Sequence, residues 1–203
     1  MVGLGMGFFK DLFAPSRIAL EDQLATLASN GIKLRPQFGV DDLLQFFNRD
    51  KYETSPFYGL TITMGGESNR EPYEPLSDNV WHMDAECIEG YGDYRRIAER
   101  MRDLAQGELP IENIRDQVDL ANGDAWLEFE LKGETIHWGA RVDGDWMDPE
   151  MLSNFCALLI AQGGERRYTY LDLKGQDCLI GCATEEELRG LRKETGMKFT
   201  WLE

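Results

Sequence analysis

The stretch "RYTYLDLKGQDCLIGCA", residues 167 to 183, predicts a β-hairpin around which the rest of the chain can be arranged. Residues 167–173 and 178–183 are rich in side chains that favour strands, and a Lys174-Gly175 turn separates them. Thr184, followed three residues later by Glu187, forms a capping box that indicates the start of a helix. The stretch therefore predicts a strand-strand-helix unit.

A second unit of the same kind precedes it. Residues 125–131 ("AWLEFEL") and 134–142 ("ETIHWGARV") flank a Lys132-Gly133 turn. Asp148 as a cap and Pro149 in the first turn then predict a helix over the apolar run that follows. The "ELKGE" and "DLKGQ" turns of the two hairpins fit either an internal duplication or convergence on a common turn.

The pattern predicts that the earliest unit begins with a strand over 57–64 ("FYGLTITM"). A turn-rich loop over 65–78 and a second strand over 79–84 follow. A stripe of apolar residues then predicts a helix from about Asp93 to Gln106.

The ends of the chain complete the predicted architecture. Ser16 as an N-cap and Asn30-Gly31 as a stop bound one helix, and Asp41 or Asp42 caps a second. We expect a single α+β domain over 1–203, with residues 1–15 as an N-terminal clip. Its antiparallel sheet is built from the repeated strand-strand-helix units, with the helices on one face, an N-terminal helical pair and a last strand in "MKFTWL".

The charge balance restricts the class of partner. The 203 residues contain 21 Lys and Arg against 37 Asp and Glu, a formal charge of −16. Such a surface repels nucleic acid and anionic membranes, so we expect neither, and it favours a basic or cationic protein partner. Simple solubility is the alternative explanation of the charge.

Motifs for common chemistries are missing from the sequence. It contains no G-x-S-x-G, no phosphate-binding loop and no run of about 18 apolar residues. The N-terminus lacks the basic start of a secretory signal, and the four cysteines fit buried thiols in a reducing compartment. We therefore expect a cytoplasmic protein without a cofactor.

The two histidines are the strongest candidates for metal or catalytic chemistry. On an extended strand His82, Asp84 and Glu86 share one face, and imidazole with carboxylates is a common metal-ligand set. Alternate strand residues lie roughly 7 Å apart, too far to surround one ion unless another element contributes. The hairpin register places His137 opposite Glu128, and His137 would have to join His82 to complete a site.

Aromatic and acidic side chains on outward sheet faces predict a protein-binding surface. The predicted binding residues are Trp126, Glu128, Glu130, Tyr168, Tyr170 and Asp172. The alternative is that a further layer of structure covers this face and buries the aromatic residues.

The leading functional hypothesis is a non-enzymatic acidic protein that binds another protein. Immunity proteins that neutralise bacterial toxins share its charge and size, which is an analogy from bulk properties. Two alternatives remain open: a metal-dependent hydrolase using His82, His137 and nearby carboxylates, and a small-ligand sensor with a pocket under the 65–78 loop.

Overall fold

The computed structural model describes residues 17–203, so Ser16 and the 1–15 segment lie outside the described residues. In this range the elements follow in the order α1 (Leu20–Ser29), α2 (Val40–Leu43), α3 (Arg49–Thr54), α4 (Tyr58–Gly65), β1 (Val80–Asp84), α5 (Asp93–Leu104), β2 (Ile111–Asp119), β3 (Asp124–Leu131), β4 (Glu134–Ala140), α6 (Glu150–Ala161), β5 (Arg167–Asp172), β6 (Asp177–Ala183), α7 (Glu185–Thr195) and β7 (Thr200–Trp201). No helix in this part of the chain has the length and apolarity needed to cross a membrane.

The protein is an α+β protein with purely antiparallel pairing. Its strands form two sheets rather than one: a large sheet of order β1-β6-β5-β7 and a small sheet of order β2-β3-β4. Both predicted hairpins are confirmed, and Glu128 pairs with His137 as the Lys132-Gly133 turn predicts. The capping box is confirmed too, since Thr184 accepts a hydrogen bond from the Glu187 amide.

The predicted strand over 57–64 is wrong, because this segment forms helix α4. Its residues are apolar on all sides, so the hydrophobic pattern does not distinguish a strand from a buried helix. Burial of Phe57, Leu60 and Met64 follows helical spacing. The N-terminal helical pair is present, and α3 and α4 extend it to four helices.

Strand β2 is absent from the prediction for a physical reason. A register shift between Glu112 and Arg115 marks a bulge, and Asn113 within it has a positive φ of 51°. An extra residue reverses the inward and outward alternation on which strand prediction depends.

Both faces of the large sheet are buried. In β6, Leu179 contacts a core cluster with α1, α4 and α7, whereas Ile180 contacts a second cluster with α5 and α6. Successive strand residues point to opposite faces, so helices cover this sheet on both sides, whereas the sequence pattern predicted helices on one face.

The small sheet packs against the outer side of the core cluster that contains α5 and α6. Leu127 and Phe129 of β3 point inward, and the ring of Phe129 lies 4.9 Å from that of Trp138 and 6.1 Å from that of Phe155 in α6. The layers are therefore helices, large sheet, helices and small sheet, and the outer face of the small sheet remains in contact with solvent.

Glycine at the end of α4 allows this helix to touch β1. A Cβ on Gly65 would lie 2.5 Å from the backbone nitrogen of His82 and 3.0 Å from the carbonyl carbon of Trp81. Backbone atoms in a paired strand cannot move aside as a flexible side chain does, so only glycine permits this approach.

We predict that Gly65→Ala lowers the free energy of unfolding by about 2 kcal/mol, a typical cost of overpacking. The control is Gly59→Ala in the same helix, where an added Cβ meets nothing within 4 Å. That variant should be neutral or more stable by up to about 1 kcal/mol, because alanine favours helix. Urea unfolding measures both, and equal stabilities would contradict the proposed close contact.

Candidate functional site

The two histidines belong to different sheets. His82 lies on β1, which pairs only with β6, and His137 lies on β4, which pairs only with β3 among residues 17–203. Within that range no group of three or more His, Cys, Asp or Glu side chains is placed to hold a metal ion. The hypothesis of a metal-dependent hydrolase therefore gains no support from the geometry.

Polar contacts instead engage each member of the His82, Asp84 and Glu86 set. His82 Nε2 lies 3.2 Å from Asp177 Oδ1 on the neighbouring strand. Gln176 Nε2 donates to Asp84 Oδ2 at 3.2 Å and to Glu86 Oε2 at 3.0 Å. These contacts tie the end of β1 to the turn between β5 and β6.

A second loop folds back onto the same end of the large sheet. Trp146 forms isolated β-bridges with Glu86 and with Asp143. The Met147 amide donates to the Ala85 carbonyl at 2.8 Å, which fixes the loop against β1. Three segments distant in sequence thus converge on one surface.

We call this surface the acidic sheet end. It consists of the end of β1, the β5–β6 turn and the 143–146 loop, and its side chains are Asp84, Glu86, Arg141, Asp143, Asp145, Trp146, Asp172, Lys174 and Asp177. Six carboxylates against Arg141 and Lys174 leave a formal charge of −4 with His82 neutral. Most of these carboxylates are solvent-exposed.

Among residues 17–203, most carboxylates of the acidic sheet end have no cationic partner. Lys174 Nζ contacts Asp172 Oδ2 at 2.7 Å, and this hydrogen bond lowers the pKa of Asp172. Arg141 approaches Asp143 at 3.8 Å. An incoming cation therefore meets carboxylates held only by amides, such as Asp84 and Glu86.

Trp146 places an aromatic surface among these carboxylates. At 44% exposure it is the most exposed of the five tryptophans. Tryptophan is enriched at the energetic centres of protein interfaces, and its ring face also attracts Lys and Arg side chains.

The predicted binding residues divide between the two sheets. Trp126, Glu128 and Glu130 lie on the outer face of the small sheet and are half-buried. Glu128 is already paired with Arg115 at 2.6 Å and lies 3.3 Å from His137, whose ring is 5.3 Å from that of Trp126. This face therefore has little free negative charge at its centre.

The outward position predicted for Tyr168 is wrong. Tyr168 is 1% exposed, and its hydroxyl donates to the Met101 carbonyl of α5 at 2.7 Å. Tyr170 on the same face is half-buried, because α5 and α6 form the covering layer that was the alternative interpretation. Asp172, at the end of β5, is exposed and belongs to the acidic sheet end.

Sequence reasoning missed Trp146, Asp143 and Asp145 as functional candidates. In the sequence they form a turn before α6, and no local signal shows that this turn reaches β1. An exposed tryptophan between acidic residues in "DGDWMD" was the available clue.

None of the four cysteines has the environment of a nucleophile. All are free thiols, and burial raises the pKa of Cys178 and Cys182 to about 12 and that of Cys87 and Cys156 to about 11. Raised pKa values suppress the reactive thiolate.

Comparison with protein-family models, curated proteins and solved structures found no match to this chain.

The thiol pKa values predict slow alkylation of the native protein. At pH 8 iodoacetamide should react with Cys87 and Cys156 about two hundredfold more slowly than in denaturant, and with Cys178 and Cys182 about two thousandfold more slowly. These factors follow from the fall in thiolate fraction when the thiol pKa rises from about 8.5 to about 11 or about 12. Mass spectrometry of time-resolved labelling measures the rates, with the denatured chain as the control. Rapid labelling of a single thiol would indicate an activated nucleophile and contradict these assignments.

Proposed function

We propose that this chain binds a basic protein partner through the acidic sheet end. The observation that supports the proposal most directly is the convergence of three segments at one end of the large sheet, where exposed Trp146 bridges to Glu86 and Asp143. The surface has a formal charge of −4 within a chain of −16, so local and overall charge attract the same class of partner.

Charge complementarity of this kind acts on the rate and specificity of association. Facing potentials of opposite sign steer a partner toward the matching patch and oppose partners of the same sign. The screening length is about 8 Å at physiological ionic strength, so carboxylates within the contact surface matter more than those elsewhere on the chain.

Trp146 supplies the apolar part of the contact. A flat ring with two rotatable bonds loses little conformational entropy on binding, and burying its exposed portion adds a gain that salt does not screen. Asp143 and Asp145 beside it attract Lys or Arg side chains, which can then lie against the ring. A segment that alternates basic and apolar side chains would fit this arrangement.

Neutralisation of a toxin is one biological role that such binding could serve. That role remains a prediction from charge and size, because charge complementarity favours a basic partner and does not specify the activity of that partner.

We predict that Asp84→Asn, Glu86→Gln and Asp177→Asn, combined in one variant, weaken binding of a fluorescent decaarginine peptide about tenfold. Exposed charge pairs contribute about 0.2 to 1 kcal/mol each, so three of them give a loss of this order. Fluorescence anisotropy measures the affinity. For the unaltered protein, the affinity should also fall steeply between 50 and 300 mM salt, since the peptide contact is ionic.

The matched control changes the net charge equally at another surface. Glu112→Gln, Glu130→Gln and Glu134→Gln on the small sheet should alter peptide affinity by about twofold or less, because their charges are screened from the acidic sheet end. Equal losses in both triple variants would show that binding follows net charge alone and would contradict the proposed site.

Trp146→Ala tests the apolar part of the contact. With a peptide that alternates arginine and leucine, we expect about a tenfold loss of affinity that persists at 300 mM salt, since burial of the ring is unscreened. Trp126→Ala on the small sheet is the control and should leave affinity unchanged. Anisotropy at low and high salt separates the two contributions, and an unchanged affinity of the Trp146 variant would exclude the ring from the interface.

A further inference from the structure

A cavity of about 320 Å³ lies beneath the 65–78 loop, on the exposed edge of β1. The α4 end and the loop supply one wall, β1 the second and α5 the third. Its lining residues are Gly65, Gly66, Glu67, Pro75, Trp81, His82, Arg96 and Arg100.

Arg100 is the unusual member of this lining. Its side chain is buried, with 7% exposure for the residue. Nη2 donates to the carbonyls of Ser77 and Val80, both at 3.2 Å. Nη1 is buried and has no hydrogen-bond partner among residues 17–203.

A buried guanidinium with unused donors is costly. Buried donors left without a partner lose the hydrogen bonds that water would give them, and a buried charge adds a larger penalty unless an opposite charge accompanies it. Burial accordingly lowers the pKa of Arg100, while the negative charges of Asp103, Asp78 and Glu67 oppose the shift. An anion in the cavity would offset both costs.

The remaining charges around the cavity also favour an anion. Arg96 lies one turn before Arg100 on the same side of α5, and its Nη2 contacts the Asp93 carboxylate at 3.5 Å and donates to the Cys87 carbonyl at 3.5 Å. His82 contacts Asp177, so it is oriented by a group outside the cavity lining. The lining residues themselves carry two arginines against one carboxylate, Glu67, in a chain of net charge −16.

We infer that this cavity binds a small organic monocarboxylate, with its carboxylate on Arg96 and Arg100 and its apolar part against Trp81. The volume lies at the lower end of the roughly 300 to 1,000 Å³ typical of ligand pockets, so the ligand is small. Glu67 and the negative end of the α4 dipole at Gly65 and Gly66 repel a doubly charged phosphate more strongly than a singly charged carboxylate.

This site goes beyond the proposed binding of a basic protein. The cavity selects an anion, whereas the acidic sheet end attracts cations. None of the carboxylates of the acidic sheet end is among the residues that line the cavity. Ligand binding here therefore does not depend on whether a basic partner exists.

Sodium benzoate is the probe that tests the inference. At 20 mM it should raise the melting temperature of the full chain by about 2 to 4 °C relative to 20 mM sodium chloride, through binding to the folded state. It should also shift the ¹H–¹⁵N indole signal of Trp81, assigned with Trp81→Phe. No benzoate-specific shift, or a larger effect of sodium phosphate, would overturn the assignment of a monocarboxylate.

Arg96→Gln should weaken benzoate binding about tenfold, measured by titration of the Trp81 indole signal. Arg96 is exposed, so its replacement preserves the fold, whereas replacing Arg100 also breaks the contacts to Ser77 and Val80. The matched control is Arg95→Gln, an exposed neighbour outside the cavity lining, which should bind benzoate normally. Equal weakening in both variants would overturn the inference.

Discussion

The two-sided burial of β6 is the constraint on which the rest of the structure depends. Residues 178–183 are all buried, and alternate side chains enter opposite core clusters. Such a strand is stable only when both faces of its sheet are covered, because each exposed apolar side chain forfeits about 1.5 to 3 kcal/mol of burial. The N-terminal helices with α7 cover one face, and α5 with α6 cover the other. The small sheet then covers the outer side of α5 and α6.

Helices cover both faces of the large sheet, so the exposed side chains of this sheet are confined to the ends and edges of its strands. Carboxylates accumulate where β1, the β5–β6 turn and the 143–146 loop leave the core, because burying a charged group without a partner is costly. The covering helices also place the edge of β1 beside α4 and α5. There the end of α4 at Gly65 and the side chain of Arg100 line a cavity. His82 lies between the two places, lining the cavity and contacting Asp177.

Local signals predict much of this architecture, and long-range packing accounts for what they miss. The Lys-Gly turns define both hairpins and the register that pairs Glu128 with His137. The apolar segment 57–64 satisfies a strand pattern equally well, and its helical form is accompanied by close packing of Gly65 on β1. Likewise, Tyr168 points to the face of β5 opposite to buried Thr169 and Leu171, so the alternating pattern predicts that it is exposed. It is buried because α5 and α6 cover that face. Of the candidate site, sequence reasoning identified Asp84, Glu86 and Asp172 but not the loop that carries Trp146.

We propose that a basic partner binds where three distant segments converge and not wherever the chain is acidic. Backbone amide NMR mapping during titration with an arginine-rich peptide tests it most directly. We expect the largest shifts at residues 84–86, 143–146 and 172–177, with the strands of the small sheet unaffected. Shifts spread over the whole acidic surface, or centred on Trp126 and Glu130, would contradict the claim.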